Sequence, residues 1–395
     1  MILQNSYLWS FVWHPDLFLF ENDFFSLRWY SFLFALGFIV GRFIVVRSYK
    51  LENSYDQTVD MQMFYMVAGT LFGSRMGHVI FYEPEILKTN FFKLFYFWES
   101  GLASHGAAIG ILLSMALYSY ELRFSGFSFR FVDRLRRSYS YYQVMDRMVI
   151  AIALGCALIR IGNFFNSEII GKPTESNYGI VFTQPIEKKI KSQLPFVKYV
   201  NFTASGKYYE LGKPILQTSI VFENNLYMED RIRNSVEKRL KYILPNKISS
   251  YTNVINPYQG SLDYSFHRTK DKFELRFKSV GVNRHPAQLY EALNYLIIGV
   301  LLFLIWNKNR SRLRPGRLLG LFFLIAFSTR FFIEGIKENQ VSFENSLYLN
   351  MGQLLSIPLF LLGFYFFYNR KSIKKIQQLW TEFFLIKNLN KILNN

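Results

Sequence analysis

Runs of about twenty residues with almost no charge recur along this chain, each long enough to cross a bilayer as a helix. Nothing else in the sequence limits the fold as strongly. Lipid offers no hydrogen-bond partners, so a spanning segment must satisfy its own backbone. Seven candidates follow: Trp29 to Val46, Met61 to Tyr82, Leu102 to Tyr120, Met148 to Phe165, Leu289 to Trp306, Leu318 to Glu334 and Leu349 to Tyr368. The expected class is an all-α membrane protein with seven transmembrane helices. A disordered chain is excluded, because 51% of the residues are hydrophobic.

Lys and Arg number 46 against 28 Asp and Glu, a formal charge of +18. The cations between the apolar runs form short clusters, a membrane-anchoring pattern in which no nucleic-acid partner is expected. Arg47 and Lys50 follow the first run, Arg123 to Arg137 the third, Lys308 to Arg317 the fifth, and Arg370 to Lys375 the seventh. These alternate segments fall on one side, expected to be cytoplasmic, which puts the N-terminus outside and the C-terminus inside. The segment 170–284 then lies outside as an inserted head. Alternation in Lys272 to Phe277 predicts strands there, and Met228 to Leu244 predicts a polar helix. The expected organisation is a core over 1–169, the head over 170–284, a core over 285–370 and a basic cytoplasmic tail over 371–395.

The N-terminus lacks a signal-peptide plan, so the first run is expected to stay in the mature chain. Cys156 is the single cysteine, which excludes an intramolecular disulfide, and the five histidines have no metal-ligand spacing. No metal and no organic cofactor are expected.

Ionisable residues inside a span cost about 2.5–3.5 kcal/mol at the bilayer centre, so their depth is informative. Tyr30, Arg75, His78, His105, Arg160, Asn163, His285, Gln288, Glu291, Arg330, Glu334 and Gln353 all fall near the outer ends of the runs. The inner ends carry mostly plain Arg and Lys. One polar cavity opening to the outer face is expected, with an anionic headgroup paired to Arg75, Arg160 and Arg330. Blander readings stand beside it. Arg330 and Glu334, at i, i+4, can neutralise each other, and Arg75 and His78 can be structural partners between helices.

Three motifs concentrate the signal. Ser104-His105-Gly106 opens the third run, with Gly110 at small-xxx-small spacing. Arg160-Ile161-Gly162-Asn163-Phe164-Phe165-Asn166-Ser167-Glu168 closes the fourth, with Arg160 and Asn163 on one helix face and Asn166 continuing it. His285-Pro286-Ala287-Gln288-Leu289-Tyr290-Glu291 opens the fifth, with Pro286 suited to a first helical turn. Together with Trp29-Tyr30, Gly73 to Gly77, Arg330 with Glu334, and Met351-Gly352-Gln353, these resemble the prolipoprotein diacylglyceryl transferase family, in order, from about Trp29 to Ser356. The chain departs from the family in having Ala326 where a Tyr is usual and Lys337 where an Arg is usual. Its insert around Glu187 to Gly281 is also longer.

The resemblance implies a bacterial inner-membrane enzyme with its active site near the outer leaflet. Such an enzyme moves the diacylglyceryl group of phosphatidylglycerol onto the lipobox cysteine of a prolipoprotein and releases glycerol phosphate. Its implied partners are phosphatidylglycerol, prolipoproteins and membrane lipids. The implied catalytic residues are His105, Arg160 and Arg330. Arg160, Asn163, Asn166, Glu168, Tyr30 and Glu334 are expected to bind the lipid headgroup. His105 is the candidate base, with a headgroup hydrogen bond as its competing role, and His285, Gln288 and Glu291 are expected mainly to hold helices together. From another class, a transporter of an anionic solute is the alternative.

Overall fold

The computed structural model describes residues 11–53, 58–81, 83–86, 91–96, 103–125, 128–133, 139–176, 178–209, 212–223, 229–245, 252–256, 263–269, 272–338 and 347–368. The expected basic tail over 371–395 lies outside the described residues. Every apolar run becomes helical: α1 (Trp29–Leu51), α2 (Thr58–Phe81), α3 (Ser104–Ser119), α4 (Tyr141–Phe165), α7 (Ala287–Asn309), α8 (Arg317–Ile336) and α9 (Met351–Tyr368). Of these, α1, α4, α7, α8 and α9 are long and apolar enough to cross a membrane. Between α4 and α7 the chain adds α5 (Gln184–Gln193), α6 (Glu229–Ile243) and most of the strands.

The helices carry apolar stripes on outward faces, as lipid contact demands. On α7, Leu293, Leu296, Ile297, Val300, Leu301 and Leu304 are exposed, at helical spacing, while Tyr295, Ile298, Leu302 and Trp306 are buried. Helix α4 is the most enclosed span, half buried over its most apolar window, against 11% for α9.

The described residues fall into two compact units. One gathers the described residues within Met1–Phe34, Ala157–Asn294 and Thr329–Leu355; the other gathers those within Ala35–Cys156, Tyr295–Ser328 and Ser356–Asn395.

In the second unit, α2 and α3 touch along glycines. A methyl group on Gly73 would lie 2.4 Å from the Gly106 carbonyl oxygen, and one on Gly110 would lie 2.1 Å from that of Gly69. The small-xxx-small spacing of Gly106 and Gly110 is thus used for backbone contact between helices. Elsewhere in this unit the Glu52 side chain is fully buried. It accepts from Arg147 Nη2 at 2.9 Å and 3.0 Å, Tyr139 Oη at 2.5 Å and Trp306 Nε1 at 2.7 Å. One carboxylate therefore joins the end of α1, the start of α4 and the end of α7. Asp146 caps α8 from a neighbouring helix, accepting the amides of Gly316 at 2.7 Å and Leu319 at 2.9 Å. The basic link 120–133, read only as a charged loop, forms an antiparallel hairpin of β4 (Tyr120–Ser125) and β5 (Ser128–Asp133).

In the first unit, an antiparallel sheet runs β10 (Tyr264–Arg268), β11 (Phe273–Gly281), β8 (Lys213–Phe222) and β7 (Val197–Tyr209), with β9 (Val254–Ile255) also on β11. Period-two patterning buries Phe273, Leu275 and Phe277 and exposes Arg276 and Lys278. The buried face packs on α5 through Ile186 and Ile190 and on α6 through Ile232, Val236, Leu240 and Ile243. The strands and polar helix anticipated in this segment are both present. The N-terminal arm adds β1 (Phe11–Trp13), parallel to β6 (Ile180–Phe182), and a hairpin of β2 (Phe18–Glu21) and β3 (Ser26–Arg28). Trp13 stacks on Phe164 at 4.3 Å and Trp29 on Phe165 at 4.8 Å, so aromatics fasten this arm and α1 to the end of α4.

Replacing Glu52 with Gln leaves Arg147 as a buried charge without its counter-ion. Breaking such a pair typically costs about 3–5 kcal/mol. The Glu52→Gln protein should unfold at markedly lower temperature in detergent, measured by thermal denaturation, and an unchanged midpoint contradicts this role.

Candidate active site

Five charged side chains, four on three helices and one just past the end of α8, form an alternating chain in the first unit. Arg160 Nε, on α4, lies 3.2 Å from Glu291 Oε2, on α7. Glu291 Oε1 accepts from Lys337 Nζ at 2.9 Å, and the same ammonium donates to Glu334 Oε1 at 2.8 Å. Glu334 Oε1 then lies 3.3 Å from Arg330 Nη2, both on α8. Three cations meet two carboxylates, an excess of one positive charge. The middle of the chain is deeply enclosed: Glu291 is 1% and Lys337 2% exposed.

Local sequence explains each placement. Gly162 lets α1 approach the end of α4, because a methyl group there would stand 2.9 Å from the Tyr30 ring. Tyr30 is thereby held against the Arg160 turn. Helix α4 ends at Phe165, one residue before Asn166, yet the Asn166 amide still bonds the Gly162 carbonyl at 3.1 Å. Ser167 and Ile169 then take left-handed backbone angles, φ 51° and 56°. For a β-branched residue this is strained backbone, held here by its surroundings. The Glu168 amide bonds the Asn163 carbonyl at 3.0 Å, and Gln288 Nε2 donates to the Glu168 carbonyl at 2.6 Å.

A backbone lacing fixes the helix ends around this turn. Gly171 donates to His285 O at 3.0 Å, Lys172 to Ile336 O at 2.8 Å, His285 to Lys172 O at 3.1 Å and Glu338 to Ile170 O at 3.2 Å. The buried Arg284 clamps the same junction, donating to Gly171 O at 3.0 Å and Glu338 Oε1 at 2.9 Å. Burial pushes its guanidinium below the usual value, opposed by the Glu338 carboxylate. Burial also pushes His285 down, which favours its neutral form at pH 7.

The site is rich in unmet acceptors. Among the described residues, Asn163 Oδ1, Asn166 Oδ1, Ser167 Oγ, Gln288 Oε1 and Glu291 Oε2 are buried without a hydrogen-bond partner. Glu291 Oε2 is near Arg160 as a charge but is not aligned as an acceptor. Buried polar atoms are normally satisfied, so these five have capacity for further donors.

Of the residues expected at the site, Arg160, Arg330, Glu334, Asn163, Asn166, Glu168 and Tyr30 all lie in this unit. Glu168 is exposed and 3.5 Å from Asn166 Nδ2. Arg330 and Glu334 do pair at i, i+4, as the blander reading held, and also extend the longer chain. Arg75 is buried in α2 of the other unit. His105 belongs to α3 there, and its side chain lies outside the described ones. Two partners went unread: Glu291 as the counter-ion of Arg160, and Lys337 as the bridge. The signal available for Lys337 was its place three residues after Glu334, on the same helical face.

On the far side, Gly352 opens α9 against Glu334, and a methyl group there would lie 2.5 Å from the carboxyl carbon. Gly352→Ala should displace Glu334 from Lys337 and Arg330 and lower activity at least about tenfold, a barrier change near 1.4 kcal/mol. Turnover of the purified variant measures this, and wild-type turnover contradicts it.

Residues 17–369 match the family described as Prolipoprotein diacylglyceryl transferase. Among similar curated proteins is the phosphatidylglycerol–prolipoprotein diacylglyceryl transferase of Bacteroides fragilis, 26% identical over 94% of this chain and 100% of that protein. That of Chloroherpeton thalassium is 28% identical over 89% and 90%. That of Porphyromonas gingivalis is 29% identical over 89% and 92%.

Proposed function

The chain belongs to the prolipoprotein diacylglyceryl transferase family, and from that premise we propose how its own residues carry the reaction. The protein transfers the diacylglyceryl group of phosphatidylglycerol to the thiol of a prolipoprotein's lipobox cysteine. The new bond joins sulfur to the glycerol carbon that bore the phosphate. The C–O bond to phosphate breaks, its electron pair leaves on the phosphate oxygen, and the thiol proton passes to a base. The products are a thioether-linked lipid and glycerol phosphate. The family match leaves the anionic-solute transporter without support.

The observation that carries the assignment of roles is the charge chain with its single positive excess. A phosphodiester brings one negative charge. Arg160 and Arg330 are assigned to the phosphate, where guanidinium donors match its oxygens and stabilise charge gained as the C–O bond breaks. Asn163 and Asn166 are assigned to the headgroup through their unmet carbonyl oxygens, with Glu168 and Tyr30 beside them. Glu334 orients Arg330. His105 is assigned the proton, because a thiol with pKa about 8.5 gains from a base near neutrality.

For the membrane arrangement, we read α2 and α3 as spans beside the five long apolar helices. Their exposed stripes, Phe64, Phe72, Met76 and Ile80 on α2 and Ile109, Leu113 and Leu117 on α3, support this. Seven spans then carry the N-terminus outside, the C-terminus in the cytoplasm, and the sheet-bearing insertion outside. The proposed location is the bacterial inner membrane, with chemistry at outer headgroup depth.

The test is purified protein with phosphatidylglycerol and a lipobox peptide, read as a diacylglyceryl mass shift on cysteine. Arg160→Ala should lower turnover by about 10²–10³, the usual loss for one fixed donor of this kind. Near-normal turnover overturns the phosphate assignment. His105→Gln should be most defective near neutrality and recover as pH rises toward about 8.5, where the thiol ionises unaided. A defect of one size at every pH assigns His105 to headgroup binding instead.

A further inference from the structure

The hairpin that precedes α1 is built to display aromatic rings. Asn22 Oδ1 accepts the amides of Phe24 at 3.1 Å and Phe25 at 2.7 Å, and the Asn22 amide donates to Phe25 O at 3.0 Å. This closes a fixed turn. Phe24 at its tip is 98% exposed, with Phe25 at 57% and Phe20 at 54%. None belongs to a buried hydrophobic cluster among the described residues. At the hairpin's base the Trp29 amide donates to Leu17 O at 3.1 Å, so the strands are joined to the first residue of α1.

We propose that the β2–β3 hairpin is a shallow lipid anchor, its Phe20, Phe24 and Phe25 rings seated at the boundary between headgroups and acyl chains at the N-terminal end of α1. Continuity names the occupant. Helix α1 is long and apolar enough to span, and Phe32, Ile39 and Phe43 form an exposed stripe along it. The hairpin is hydrogen-bonded to the first residue of that span, so its rings stand at the span's N-terminal end. Aromatic side chains favour this interface. Glu21 and Asp23 fix the depth, because both carboxylates are exposed at the turn and need water. An interfacial element reaches about 5–10 Å below the headgroups, not the bilayer centre. Exposed Arg28, whose guanidinium lies 5.5 Å from the Phe18 ring, suits a lipid phosphate at the same level. Two residues beyond Arg28 stands Tyr30, packed on Gly162 beside Arg160. The anchor thereby sets the height at which the charge chain meets the leaflet.

The experiment uses the full chain carrying Cys156→Ala and Phe24→Cys, labelled with an environment-sensitive fluorophore, in nanodiscs of phosphatidylglycerol and phosphatidylcholine. Phe20→Cys, labelled likewise, gives a second reading. Nitroxide carried near the lipid headgroup should quench both labels, while aqueous iodide quenches them several-fold less than the same fluorophore on free cysteine. Full iodide quenching without nitroxide quenching overturns the proposal. Protection from both quenchers also overturns it, and points to a contact with another protein chain. The readout is independent of catalysis, so it stands or falls apart from the assigned reaction.

Discussion

The Lys337 ammonium, held between the carboxylates of Glu291 and Glu334, is the contact on which the candidate site depends. Each of these groups would be expensive to bury alone, because apolar surroundings disfavour an isolated charge. Together they offset one another. The lysine also does geometric work. It binds two carboxylates that lie on different helices, and each carboxylate in turn faces an arginine. The positions of Arg160 and Arg330 are therefore coupled through a single atom. A lysine can bridge in this way because its charge is compact and its three donors rotate. An arginine, with a planar fork, would impose a different spacing on the same two acids.

Around this bridge the backbone is tied by hydrogen bonds between helix ends. The exit of α4, the entry of α7 and the exit of α8 exchange amide hydrogen bonds, and Arg284 fills the junction. This explains how a long sheet-bearing insertion can be accommodated between α4 and α7. The insertion folds on its own core of sheet and helices, and it enters and leaves through a junction already fixed by those bonds.

The helices were legible because lipid permits few alternatives. Apolar length located seven helices, five of them long and apolar enough to cross a membrane, and most ends shifted by only a few residues, though α4 starts seven residues earlier than the apolar run. The role of Glu291 was not legible in the same way. Its spacing from Gln288 suggested one packed face, and nothing local links it to Arg160, more than a hundred residues away. Lys337 stood out as a departure from the family's Arg, and its spacing from Glu334 was the further signal of a pair. The short strands β1, β2 and β3 were missed because three or four residues carry too little alternation to register. Tertiary pairing, not local preference, makes β1 a strand, since its partner β6 lies far along the chain. Asn166 shows the opposite balance: the periodicity placed it on the Arg160 face, and its amide keeps the helical bond even where the helix has ended.

In the proposed reaction the two carboxylates also have a use beyond orientation. Phosphatidylglycerol arrives with one negative charge, whereas glycerol phosphate leaves with about −1.5 to −2 at pH 7. Three unopposed cations would favour the product over the substrate and slow its release. Glu291 and Glu334 bring the excess down to a single positive charge, enough to match the substrate. The charge gained by the leaving group is then met during bond breaking by the arginine donors, which act over short range.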